Sequence, residues 1–193
     1  MTSRYIEQEI KLKLNDPDGL INMLVILGAK SKGVDFQKTI RFDTKTNELE
    51  KYGTFIRVRS GHGTTITMKR KLKSENSDVF QREEIETSIG DIEKMRQIIK
   101  NLGFSKEYIM EKYRSNWSYK GAEISIDELP FGFFVEIEAS PAIIKKVSNE
   151  LKLNLDDKIT TTYWHLLAEH NKLIGAKEEN IIFTKDHISK LYK

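Results

Sequence analysis

From Tyr5 to Leu12 the chain reads YIEQEIKL, with Glu7, Glu9 and Lys11 on one face of an extended segment and Ile6, Ile10 and Leu12 on the other. The same two-residue period returns along the chain. Residues 36–43 set Thr39, Arg41 and Asp43 against Ile40 and Phe42. A hairpin follows, Phe55–Arg59 and Thr65–Lys71 joined by the turn SGHG, and then a strand from Phe80 to Thr87 carrying Arg82, Glu84 and Glu86 on one side. A meander closes the series. Residues 107–117 align Lys112, Arg114 and Asn116, residues 122–128 align Glu123, Ser125 and Asp127, and Phe134–Glu138 aligns Glu136 with Glu138 after a turn at Pro130 and Gly132.

Helical spacing appears between these strands. Residues 16–28 carry Leu20, Met23, Leu24 and Leu27, with Pro17 near the start and Gly28 at the end. A second helix is predicted over 90–102, capped by Ser88 and stopped by Gly103, with Ile92, Met95, Ile98, Ile99 and Leu102 as its stripe. Ser140-Pro141 opens a third, and Thr161–Lys172 forms a fourth that buries Leu166 and Leu167. Residues 44–53 and 72–78 read as polar loops. The last stretch, 174–193, reads as a C-terminal extension with a short helix near Asp186 to Leu191, leaving 1–173 as the main domain.

Seven or eight strands, each with charge along one face, do not suit an open sheet that also gives helices something to cover. The economical arrangement is an α+β fold built on a closed or nearly closed antiparallel sheet, with apolar residues outward under helices and charges inward around a wet cavity. It predicts Ile6, Ile10, Val58, Met68, Ile85 and Ile137 buried outside the sheet.

Composition agrees with a charge-lined interior: 32% of residues are charged and 38% hydrophobic. The net charge of +3 is too small and too evenly mixed to argue for nucleic-acid binding. The chain has no cysteine, which excludes disulfides, zinc thiolates and cysteine nucleophiles, and its four scattered histidines argue against a histidine-based metal site. No signal peptide or membrane-spanning run is apparent, so the expectation is a cytoplasmic protein, monomeric or homodimeric, with neither nucleic acid nor membrane as partner.

The inward inventory comprises seven acids, Glu7, Glu9, Glu84, Glu86, Asp127, Glu136 and Glu138. Facing them are Lys11, Arg41, Arg57, Arg59, Lys69, Lys71, Arg82, Lys112 and Arg114. Carboxylates at i and i+2 repel one another and are best tolerated with a cation between them. An all-oxygen set matches Mg²⁺ or Mn²⁺ rather than zinc. Clustered Arg and Lys need a counter-anion, and guanidinium forks fit phosphate oxygens. Together the clusters describe a site for a metal-bound polyphosphate.

These segments, in order, resemble the CYTH superfamily of triphosphate tunnel enzymes, which includes class IV adenylate cyclases, thiamine triphosphatases and inorganic triphosphatases. The resemblance rests on Glu7-x-Glu9-x-Lys11, Phe42-Asp43-Thr44, Ile56-Arg57-Val58-Arg59, Thr67-Met68-Lys69, Glu84-Ile85-Glu86, Lys112-Tyr113-Arg114, Ile126-Asp127, Phe134 to Glu138 and Thr162-Tyr163-Trp164-His165-Leu166-Leu167. It implies an eight-stranded tunnel with a triphosphate threaded along it: tripolyphosphate, thiamine triphosphate or ATP. It also implies phosphate binding by the nine bases, metal binding by Glu7, Glu9, Glu136 and Glu138, and catalytic roles for Glu84, Glu86, Asp127, Lys69 and Lys112. Hydrolysis is the leading expectation because no residue set establishes a nucleobase pocket. Cyclisation of ATP to cyclic AMP and pyrophosphate is the alternative, and a non-enzymatic polyphosphate- or nucleotide-binding module the third.

Overall fold

The computed structural model describes residues 5–71 and 80–192, with side chains described over 8–71 and 83–192. Its elements are β1 (Tyr5–Leu14), α1 (Pro17–Ile26), β2 (Lys30–Asp43), α2 (Glu48–Lys51), β3 (Thr54–Ser60), β4 (Thr64–Lys71), β5 (Phe80–Ser88), α3 (Ile92–Asn101), β6 (Lys106–Tyr119), β7 (Ala122–Leu129), β8 (Gly132–Glu138), α4 (Pro141–Glu150) and α5 (Tyr163–Ile174).

All eight strands pair antiparallel in the order β1-β5-β4-β3-β2-β6-β7-β8, and the two ends of the sheet meet at β1. That closure is made by halves: Tyr5 to Glu9 pairs with β5, and Glu9 to Leu14 pairs with β8. A sheet closed on itself has no unpaired edge, and its pleat sends alternate side chains into the lumen. The outward side chains form the cores. Ile10, Leu12, Leu14, Ile124, Ile126, Val135 and Ile137 pack with Leu20 and Leu24 of α1 and Ile144 and Val147 of α4. Ile40, Phe42 and Val58 pack beneath Ile99 of α3.

Several local expectations change. β2 starts at Lys30, six residues before the alternation suggests. The register shifts between Ser31 and Val34, where Gly33 has φ +92°, and such an irregularity breaks the period that marks a strand. The loop over 44–53 contains α2, because the Asp43 carboxylate accepts from the backbone N–H groups of Thr44 (2.7 Å), Leu49 (2.9 Å) and Glu50 (3.1 Å). The cap of α3 is Asp91, which accepts from Lys94 N at 2.9 Å, whereas Ser88 ends β5. Of the predicted outward core, Ile10, Val58 and Ile137 are buried and Met68 is half-buried. Ile85 is 58% exposed, because α3 packs over β2 and β3 and does not reach it. The Ile6 side chain lies outside the described ones.

The C-terminal segment forms no helix near Asp186 to Leu191. It runs along the outside of the barrel. Ile181 bonds to the stretch of β6 that β7 does not reach, with Glu111 N donating to Ile181 O (2.7 Å) and Ile181 N to Ile109 O (2.9 Å). Farther on it wraps the outward, buried Glu128. His187 Nε2 lies 3.1 Å from that carboxylate, Ser189 Oγ donates at 2.6 Å and Lys190 N at 3.0 Å. Among the described residues no helix is long and apolar enough to cross a membrane.

Candidate active site

Strand polarity gives the tunnel two unlike ends. Glu9 of β1 stands opposite Glu138 of β8, which stands opposite Glu123 of β7, so three carboxylates line one end in register. At the other end β2, β3 and β6 bring Arg41, Phe55 and Tyr108, and the start of α5 closes over them. Thr162 caps that helix by accepting from His165 N, which sets Tyr163 and Trp164 in its first turn. Between the ends lies a cavity of about 150 Å³ whose wall includes Lys11, Arg41, Arg57, Arg59, Lys69, Lys112 and Arg114 on the basic side and Glu9, Glu123, Glu136 and Glu138 on the acidic side. That is roughly ten times the space one water needs.

Most of these bases are already matched by carboxylates of the protein. Asp127, fully buried, accepts from Lys112 Nζ (2.9 Å), from Arg114 Nε and Nη2 (2.6 Å each) and from the Tyr163 hydroxyl (2.8 Å). Arg114 also donates to Glu136, which lies 3.2 Å from Lys11 Nζ. The Lys11 ammonium rests 4.2 Å from the centroid of the Tyr163 ring. On the opposite wall Lys69 meets Glu84 at 2.8 Å and Arg57 meets it at 3.6 Å, while Glu86 accepts from the Thr67 hydroxyl at 2.7 Å. Sequence reasoning leaves the bases without counter-charges until an anion arrives, and the pairing of Arg57 and Lys69 corrects this. Cross-strand register supplies the partner, Lys69 standing opposite Glu84.

Arg59 differs from its neighbours. It is bound through Nε to the Thr39 hydroxyl at 3.3 Å and has no ion-pair partner among the described residues. Burial, then Arg57 and Arg114, press its pKa down to about 9. Burial and the Arg114 charge likewise bring Lys112 down to about 7. Burial pushes the Glu136 carboxyl up, but Arg114 and Lys11 outweigh it and hold that group well below the usual carboxylate range. Asp127 is lowered by the same balance, burial against Arg114 and Lys112. Tyr163 is raised well above an ordinary phenol by burial and by Asp127.

Of the residues expected at the site, the cavity wall gathers Lys11, Arg41, Arg57, Arg59, Lys69, Lys112, Arg114, Glu9, Glu136 and Glu138. Glu84 pairs with Lys69 and Arg57 outside the cavity lining, and Glu86, 4.0 Å from Arg57, is exposed. Asp127 is enclosed by its own hydrogen bonds on β7, away from Glu84 and Glu86 on β5. Lys71 is exposed at the end of β4. The side chains of Glu7 and Arg82 lie outside the described ones, although their backbones pair across β1 and β5. The cavity wall also holds Glu123, Phe55 and Trp164, which the sequence reading does not place at the site. Glu123 shares the phase of Ser125 and Asp127 and was legible there. Nothing local marks Trp164, which reaches the tunnel by the placement of α5.

A profile of the CYTH domain matches residues 5–163. The chain belongs to the CYTH family. A Methanocaldococcus jannaschii protein named "Putative adenylate cyclase MJ0240" is 32% identical over 178 residues, covering 92% of this chain and 94% of that one. The solved structure of the PH1819 protein of Pyrococcus horikoshii has a TM-score of 0.71 at 24% identity, over 85% of this CYTH chain and 99% of that one. The Hippeastrum protein HpAC1, described as a "putative adenylyl cyclase" that "reveals a dominant triphophatase activity", has a TM-score of 0.54 at 18% identity, over 95% and 92% of the two chains. The two structural matches are similar to this domain in fold.

The family resemblance implies a divalent metal, and the donor set fits one. Glu9 and Glu138 face each other across neighbouring strands, where like charges disfavour one another. Among the described residues no three carboxylate or histidine side chains are arranged to hold an ion by themselves. An ion there would need phosphate oxygens and water to complete its shell, as Mg²⁺ does when one or two carboxylates hold it.

Proposed function

We propose that this CYTH domain hydrolyses a triphosphate in its tunnel with Mg²⁺ or Mn²⁺. The observation that carries the reading is the wall of seven cations around one cavity, with the half-buried Arg59 lacking a carboxylate partner among the described residues. Lys11, Arg57, Arg59, Lys69, Lys112 and Arg114 neutralise the phosphate oxygens and the charge that moves onto the leaving group. Asp127 and Glu84 hold these bases in place from behind. Glu9 and Glu138 would hold the metal, which withdraws charge from the phosphates. Among the described residues the carboxylate end of the tunnel, walled by Glu9, Glu123, Ser125 and Glu138, has no aromatic ring to seat a nucleobase. HpAC1, described with a dominant triphosphatase activity, agrees with hydrolysis at the level of fold.

The second reading, cyclisation of ATP, is favoured by the name of the M. jannaschii relative. The two separate by product. Tripolyphosphate, thiamine triphosphate and ATP are incubated with the full chain and each metal. Orthophosphate release is the expected result, cyclic AMP with pyrophosphate would select the cyclase, and binding without turnover would leave a non-enzymatic module.

Lys112 adds a pH signature. Its folded pKa of about 7 lies below the 10.5 of a free lysine. Between those values the unfolded chain binds more protons, so this group alone makes stability rise with pH across the window. A bound polyanion acts in the opposite sense and restores the proton. Tripolyphosphate binding at pH 8 should therefore take up protons, and affinity should fall above about pH 7 by up to roughly tenfold per unit. Calorimetric titrations in two buffers of different protonation enthalpy measure the uptake. Equal heats in both would refute it.

A further inference from the structure

The end of the tunnel under α5 carries two buried donors, on residues in contact with each other, that meet no acceptor among the described residues. Arg41 Nε and Trp164 Nε1 are buried and meet no acceptor among the described residues. Both residues line the cavity. Arg41 is 7% exposed, and its guanidinium carbon lies 4.4 Å from the Tyr108 ring centroid and 4.8 Å from that of Trp164. The carboxylate of Glu50 approaches it only to 3.6 Å, through Nη1. Buried polar groups are nearly always hydrogen-bonded, and each exception asks for a reason. Two unsatisfied donors on residues in stacking contact, at one end of one cavity, point to an acceptor supplied by a ligand.

We propose that Trp164 is a ligand-binding residue, its indole N–H donating with Arg41 Nε to the terminal phosphoryl oxygens of the bound polyphosphate. The inference rests on the triphosphate reading above and deepens it by orienting the chain. The unsatisfied atoms are donors only, and one belongs to a cation, so their complement is an oxyanion. The cavity wall here also includes Arg57, opposite Arg41 across β2 and β3, and the apolar side chains of Phe55, Met110 and Ile159. The unsubstituted phosphate end therefore enters first, and the substituted or metal-bound end remains beside Glu9, Glu138 and Glu123.

Two measurements test this with the full chain. Trp164→Phe keeps an aromatic ring against Arg41 and deletes only the donor. Its dissociation constant for tripolyphosphate should rise about tenfold or more, as for a lost hydrogen bond to a charged group. Its melting temperature without ligand should hold or increase, because an unsatisfied buried N–H has gone. Unchanged affinity with a lower melting temperature would assign the indole a structural role and overturn the proposal. The second measurement uses wild-type protein and so does not depend on how the variant folds. Diadenosine triphosphate has no free phosphate end and should bind at least tenfold more weakly than tripolyphosphate or ATP. Binding of all three at equal strength would also overturn it. Wild-type protein that binds none of them would bring down the triphosphate reading itself, and this proposal with it.

Discussion

Replacing Asp127 with asparagine should destabilise the protein more than any other single substitution in the tunnel. The carboxylate is fully buried and takes hydrogen bonds from Lys112, Arg114 and Tyr163, so its loss leaves the buried Lys112 ammonium without its carboxylate and Arg114 with Glu136 alone. Breaking a buried pair from one side costs about 3–5 kcal/mol. For a chain of this size that is roughly 6–20 °C in melting temperature. The loss should be smaller at higher pH. Lys112, already lowered to about 7 by burial and by Arg114, can shed its proton above that value and stop being a stranded charge. Arg114 keeps Glu136 as a partner at any pH. Thermal melts of wild type and D127N at pH 6 and pH 9 measure both effects. A D127N protein that melts like wild type at pH 6 would show that Asp127 does not hold this network together.

That result bears on which residues can be read as chemical and which as supporting. Alternation is a local property, so the phase of every charge series from Glu9 to Glu138 was visible without coordinates, and so was the need for a closed sheet. Pairing is not local. Whether Asp127 faces a ligand or two bases depends on β7 lying beside β6, and the same holds for Glu84 beside Lys69. The phase of Asp127 was correct, and its isolation from solvent was invisible. Irregular backbone hid other parts. Gly33 disrupts the period at the start of β2, and Asp43, which shares the inward phase of Arg41, spends its carboxylate on the first turn of α2. Ile85 shows the converse failure: alternation marks a residue as outward and apolar but cannot say whether a helix will reach it. Trp164 entered the site from a helix more than 120 positions after Arg41, and no window along the chain joins them.

Glu9→Gln should lower turnover by roughly 10²-fold or more while leaving the fold intact, on the order of one lost transition-state interaction. The substitution barely changes volume, and among the described residues Glu9 pairs with both β5 and β8. Its backbone is therefore held twice over, and the change falls on the side chain's charge. Glu138 directly opposite is the natural co-ligand, and removing one of two facing carboxylates also relieves their mutual repulsion. The dependence on metal separates two roles. If Glu9 holds the ion, saturating Mg²⁺ or Mn²⁺ should recover part of the lost rate, because the remaining carboxylate and the substrate phosphates still bind it, more weakly. If Glu9 instead orients the attacking water, the deficit should be the same at every metal concentration. Rates of phosphate release against metal concentration, for wild type and E9Q, decide between them. E9Q turning over at the wild-type rate under limiting metal would remove the carboxylate end of the tunnel from the chemistry altogether.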